Sequence, residues 1–272
     1  MLEQSAPIDT QSRIHALWDA LSDFDLSQAE DAVQAFLAAL ADQTGMWNAT
    51  WAGAIRLREH AGDPLRGWRV AAMKSLRPVA PQPEDAHFQE ILRVWDRREI
   101  DPSFLLPLRD VGTFRTYSFR RELPAAWFST PFYDQHYGSV GIHDAVFVAF
   151  PLNGDSESHF GFYACAPIPD ETIALLRYAL RGIKWFHRHL MLSYGLLMAS
   201  TPLTQTEQRV LQLLLTEATE QRIADQLGLA TSTTHQHVVA IFRKFGVRSR
   251  AGLMSLWLNG PSARAARQPP TV

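Results

Sequence analysis

Apolar residues recur along this chain with two different periods, and the switches between them mark its elements. Residues 12–22 (SRIHALWDALS) and 27–44 (SQAEDAVQAFLAALADQT) carry apolar positions at helical spacing. In the second run Ala32, Phe36, Leu37 and Leu40 share one face, Ser27 is placed to cap the start, and Gly45 ends the helix. Residues 46–57 predict a strand, Gly62-Asp63-Pro64 a turn, and residues 67–76 a second strand paired back on the first. Pro78, Pro81 and Pro83 mark a loop before a predicted helix over 84–98, with Phe88, Ile91, Leu92 and Trp95 on one face. Residues 111–120 read as extended, and residues 124–137 as a short helix or ordered loop. Residues 143–152 and 158–165 predict two strands joined at Asn153-Gly154-Asp155, because Asn-Gly between apolar runs is a strong hairpin signal. Beyond Pro167 and Pro169 one long helix is expected over about 170–199.

Helices first, then strands, then a long helix predict an α+β domain with one central antiparallel sheet. Its element order and size resemble the GAF and PAS classes of small-molecule sensor. Along the long helix Leu175, Leu176, Ala179, Ile183, Phe186, Leu190 and Leu197 fall on one side, which makes it the expected seam of a homodimer.

A second, all-helical segment follows at 203–258. Val210, Leu211 and Leu214 form the apolar face of its first helix; Thr219 caps the second, which turns Ile223, Ala224 and Leu227 inward. Gly228-Leu229 is a tight turn. A third helix spans 231–245 with Thr234, Val238, Ile241 and Phe245 at helical spacing, and a last helix covers 251–258. Two helices joined by a short glycine-containing turn have helix-turn-helix geometry, in which the second enters the major groove.

The residues of this segment resemble the LuxR family of transcription regulators. The resemblance is carried by Leu203-Thr204-x-x-Glu207, Ile223-Ala224-x-x-Leu227, Thr233 and His237, and by the run Lys244-Phe245-Gly246-Val247-Arg248-Ser249-Arg250. It implies a sequence-specific DNA-binding protein and covers about a fifth of the chain. Ala230 stands where the family usually has Ser, so the third helix is expected to take its cap from Thr231 or Ser232. Thr234 and His235 depart from the family's usual apolar and basic residues, which implies a different target sequence.

With Thr234, Val238, Ile241 and Phe245 inward, the outer face of the third helix shows Ser232, His235, Gln236 and Val239. These are the candidates for base edges: Gln can bond adenine, His can donate to guanine, and Val can touch a thymine methyl. Thr231, Thr233, Arg243 and Lys244 are the candidates for phosphate.

Charge sharpens the division. The chain carries a net charge of -2, but residues 201–272 hold 8 Lys and Arg against 4 Asp and Glu, while the remainder is acidic. Only the basic end is expected to meet phosphate. Three parts are therefore expected: a sensing and dimerisation domain over 1–198, a DNA-binding domain over 200–260, and a disordered tail over 261–272.

The sensing domain has a heavy aromatic load. Trp47, Trp51, Trp127, Phe128, Phe132, Tyr133 and His136 are the candidates to ring a small effector, with Trp68, Phe114, Tyr117 and Tyr137 adding to the excess. Arg115, His136 and His143 are the polar neighbours able to orient it. Trp47 and Trp51 with Asp63 faintly resemble the pattern of acyl-homoserine-lactone receptors. Such a quorum-sensing receptor is one alternative; a dimer that binds DNA constitutively or under a protein partner is the other.

Other chemistry finds little support. Asp155, Glu157 and His159 alternate on one strand face and have metal-ligand character, but a solvated hairpin end accounts for them more economically, so no metal and no cofactor are expected. No P-loop, Gly-x-Ser-x-Gly or His-Glu-x-x-His motif occurs, so no enzyme is expected. The single Cys165, expected inside a strand, excludes an intramolecular disulfide. Neither a signal peptide nor a membrane span is expected, which points to the cytoplasm.

Overall fold

The computed structural model describes residues 8–57, 62–77, 93–94, 97, 100–197 and 201–259. They form two compact units, one from the described residues of 8–24 and 30–187, the other from those of 25–29 and 188–259. The expected helix over 84–98, residues 93, 94 and 97 apart, and the tail over 261–272 lie outside the described residues.

The first unit is built on five antiparallel strands: β1 (Asn48–Arg56), β2 (Trp68–Ser75), β3 (Arg115–Ser118), β4 (Asp144–Asn153) and β5 (Ser156–Ala164). Their spatial order is β2-β1-β5-β4-β3. The predicted hairpins are both present: Trp51 pairs with Lys74 across β1 and β2, and Phe147 with Gly161 across β4 and β5. Asn153 pairs with Ser156, so Gly154 and Asp155 alone make the second turn.

Successive strand residues point to opposite faces of a sheet. One face carries Trp51, Val146, Val148, Phe150, Phe160 and Phe162, all buried. Helices α1 (Ile8–Ser22) and α2 (Ala29–Thr44) come before the sheet in sequence, and two further helices follow it. Phe36 of α2 packs edge-on against Phe160 at 5.7 Å. At the entry to α2 the Asp25 N–H donates to Gln28 Oε1 at 3.0 Å, so this pair, and not Ser27, closes the turn.

The helix expected over 170–199 is two helices, α6 (Asp170–Arg181) and α7 (Lys184–Ser193), broken at Gly182 and Ile183. The break has a packing cause. The Trp18 indole donates to the Ala179 carbonyl at 2.9 Å, and a Cβ on Gly182 would sit 2.4 Å from that ring. Ile183, Phe186 and Leu190, expected at a dimer seam, are buried within the chain, as are Leu176 and Ala179. Most of the apolar stripe is therefore core, while Leu175 and Leu197 stay half-buried.

Short elements line the other face of the sheet: α3 (Pro102–Leu105), a 3-10 turn at Leu106–Leu108, α4 (Phe119–Glu122), a second 3-10 turn at Ala125–Ser129, and α5 (Pro131–His136). No described helix is long and apolar enough to cross a membrane. Cys165 lies just past β5 and is exposed, because the strand ends one residue before it.

The second unit contains α8 (Gln205–Leu214), α9 (Glu220–Leu227), α10 (Thr231–Phe245) and α11 (Arg250–Asn259) around Val210, Leu211, Leu214, Ile223, Val238, Ile241, Phe245 and Leu253. These are the predicted helices to within a residue or two. Gly228, at φ +65°, makes the turn between α9 and α10.

Candidate nucleic-acid interface and ligand cavity

The two ends of the 203–258 motif are architectural. Thr204 caps α8 by accepting from the Glu207 N–H, and Glu207 Oε2 accepts from the Thr204 N–H at 2.7 Å, a reciprocal capping box. The same oxygen takes a 2.7 Å hydrogen bond from Lys244 Nζ at the far end of α10. Burial pushes the Glu207 carboxyl up, but the bonds from Lys244 and Thr204 outweigh it and hold it below the usual range. Arg250 donates to the carbonyls of Leu213, Leu214, Thr216 and Ala218, which closes the C-terminal end of α8. Its structural role was hidden in the sequence, because nothing in a lone Arg says which carbonyls it will meet.

Between these ends α10 turns Thr234, Val238, Ile241 and Phe245 inward, as the spacing predicts. Ser232, His235, Gln236 and Val239 are exposed, Val239 to 51% despite its apolar side chain. Arg243 is exposed and Thr233 half-buried. One expectation fails here. Neither Thr231 nor Ser232 caps α10: the N-cap position is Ala230, and the Thr231 hydroxyl instead donates to Gln221 Oε1 at 2.8 Å. The Lys244 ammonium, expected at phosphate, is held here by Glu207 and the Pro202 carbonyl. His235 Nδ1 lies 3.0 Å from Glu220 Oε2, on the first turn of α9.

In the first unit, strand alternation builds a cavity on the face opposite Trp51. β1 contributes Thr50, Ala52 and Ala54; β5 contributes Glu157, His159, Gly161 and Tyr163; β3 and β4 add Tyr117 and Phe147. Trp68, Phe104, Phe119 and Tyr137 complete an aromatic wall around about 140 Å³. That is close to the roughly 150 Å³ at which an apolar cavity accepts a benzene-sized molecule.

The polar wall is already neutralised. Arg115 clamps Glu157 with two bonds of 2.9 and 2.8 Å, the Gly112 N–H adds another, and His159 Nε2 lies 3.2 Å away. Burial works against the Glu157 charge, but these partners overcome it and bring its pKa down to about 2. The buried Tyr117 and Tyr137 hydroxyls are pushed up by burial, and Tyr163 is pushed up to about 12, so all three remain protonated donors at neutral pH. Tyr163 lies 3.3 Å from Thr50 Oγ1.

None of the seven aromatic and histidine candidates lines this cavity. Trp127 is buried one layer behind it, donating to Asp101 at 2.9 Å and packing on the lining residues Phe119 and Tyr137 at 5.1 and 5.9 Å. Phe128 and Tyr133 pack against Trp127, and the Tyr133 hydroxyl donates to the Ile142 carbonyl. Phe132 stacks on His136 at 4.6 Å, Trp47 packs on the same cluster, and Trp51 donates to Ser158 on the opposite face. His143 does not line the cavity either. The Asp63 carboxylate is taken up by the Leu65 and Gly67 N–H groups and by Arg69, so it closes a turn. Trp68, Tyr117 and Tyr137, from the wider aromatic set, do line the cavity, and Arg115 holds its wall. The missed residues, Glu157, His159, Gly161 and Tyr163, were signalled by alternation along β5. Asp155 leaves that group to pair with Arg56 at the turn. Among the described residues no cluster of His, Cys, Asp and Glu is placed to hold a metal.

A four-helix unit with an exposed second helix after the turn defines a DNA-reading module. Residues 201–257 match the family described as GerE, bacterial regulatory proteins, luxR family. Residues 201–257 therefore form a luxR-family helix-turn-helix domain. No curated protein matches the chain. Among solved structures it is similar to SdiA in complex with octanoyl-rac-glycerol (14% identity, 93% of this chain and 96% of that one, TM-score 0.47). It is also similar to the VqsR LBD domain of Pseudomonas aeruginosa (13% identity, 68% and 98%, TM-score 0.44) and to Escherichia coli SdiA (14%, 90% and 94%, TM-score 0.44).

Proposed function

We propose that this regulator reads DNA through α10 as a homodimer and that a small molecule held in the sheet cavity modulates its binding. Ser232, His235, Gln236 and Val239 read base edges. Arg243 and Thr233 contact phosphate, joined by the first backbone N–H groups of α10, which no side chain caps because Ala230 offers none. The observation that carries the DNA half is the exposed polar row on α10 set opposite a fully buried apolar row.

The effector half rests on the cavity. Its wall is mainly aromatic, its ionised Glu157 is matched by Arg115, and the protonated Tyr117 lines it. These features favour a small uncharged molecule with a hydrogen-bond acceptor. A thermal-shift screen of the full chain with small aromatic and acyl compounds tests it, using Ala52→Leu as a variant whose side chain fills the cavity. A true ligand raises the melting temperature of the wild type by mass action and not that of the filled variant. Equal shifts in both, or none with any compound, leave constitutive or partner-controlled DNA binding as the account.

A further inference from the structure

The contact between His235 and Glu220 fixes which hydrogen-bonding face the recognition helix shows to DNA. A carboxylate can only accept a hydrogen bond, so the 3.0 Å contact requires that His235 carry its proton on Nδ1. In the neutral imidazole the other nitrogen, Nε2, is then an acceptor. Nε2 has no partner among the described residues, and the side chain is 64% exposed.

We infer that Glu220 is a specificity-positioning residue, which makes His235 an acceptor that selects a base bearing an exocyclic amine in the major groove, cytosine or adenine. Guanine and thymine present only acceptors at the corresponding positions, N7 and O6 or O4, and they meet the Nε2 lone pair unfavourably. This reverses the donor role that a lone histidine suggests. It rests on the proposal that α10 reads base edges.

The geometry favours the pairing before DNA arrives. Glu220 opens α9 directly after its cap Thr219, and the neighbouring Gln221 bonds Thr231 at the start of α10. Two contacts from one turn of the scaffold helix therefore grip the reading helix near its N-terminal end. Among the described residues Glu220 is the one charged group in recorded contact with the His235 ring.

The test is selection of bound sequences from a random duplex library by the full chain at pH 7.5. Wild type, His235→Ala and Glu220→Ala are compared. Wild type should show one position with at least a five-fold preference for cytosine or adenine, and His235→Ala should flatten that position alone. Glu220→Ala frees the ring to adopt either tautomer, so the same position should lose its preference while neighbouring positions keep theirs. A purely structural role for Glu220 would weaken all positions together. Guanine or thymine at the His235-dependent position, or an unchanged preference in Glu220→Ala, overturns the inference. Selection of no sequence at all overturns the underlying reading of α10 instead.

Discussion

Lys244 Nζ donates to Glu207 Oε2 at 2.7 Å, tying the end of the recognition helix to the start of α8. The side chains retain 16% and 7% of their exposure, so this pair lies largely out of solvent screening. Lys244→Met should therefore destabilise the second unit by about 1.5–3 kcal/mol, the range for a hydrogen bond to a charged group. DNA affinity per folded molecule should hardly change. Urea denaturation and duplex binding on the same preparation check both parts. A variant of unchanged stability that loses affinity for every duplex would return Lys244 to the phosphate contacts.

Trp127 is a wall support, and its truncation should act on stability. The indole is buried, donates to Asp101 and packs on Phe119, Tyr133 and Tyr137. Trp127→Ala should cost about 3–5 kcal/mol in the first unit. Denaturation followed by far-ultraviolet circular dichroism measures it, since the substitution removes part of the fluorescence. A loss under 1 kcal/mol would mean that the site collapses freely around the missing ring.

Acid should weaken the first unit in two windows that meet near pH 4. His187 is fully buried and neutral, its Nδ1 2.9 Å from Ser158 Oγ and its Nε2 3.0 Å from the Leu180 carbonyl. Burial brings its pKa down to about 4 from 6.5. The unfolded chain takes up the proton first, so stability present above 6.5 is lost as pH falls toward 4, by up to about 1.4 kcal/mol per pH unit. Glu157, held to about 2 from 4.5, loses its contribution in the lower window between those values. Seven of the eight tryptophans lie in the first unit, so fluorescence-detected urea midpoints report on it. His187→Gln should flatten the upper window and leave the lower one. An unchanged pH profile in that variant would remove His187 as the cause.

Much of this structure was legible because its signals are local. The run Asn153-Gly154-Asp155 announced the β4–β5 hairpin, and the spacing of Val238, Ile241 and Phe245 oriented α10 with no tertiary information. The break at Gly182 was not legible, since the cause is Trp18, over 160 residues away in sequence. The stripe of Ile183 and Phe186 was ambiguous for the same reason: it has one pattern whether it meets the chain's own core or another copy. The cavity was missed by one layer. Composition counted aromatic rings, but only the two-residue period of β5 separates the face of Tyr163 from that of Phe162, and only the tertiary fold puts Trp127 behind Phe119.

The central claim, that α10 meets DNA as a charged and specific surface, is most directly tested by a salt titration of the full chain on its selected duplex and on a random one. Binding to both should fall as salt rises, by about 10-fold between 50 and 200 mM for the two Arg243 charges of a dimer. Gln236→Ala should cost about 1–3 kcal/mol on the selected duplex and little on the random one. Affinity indifferent to salt, or an equal loss on both duplexes in Gln236→Ala, would contradict the account.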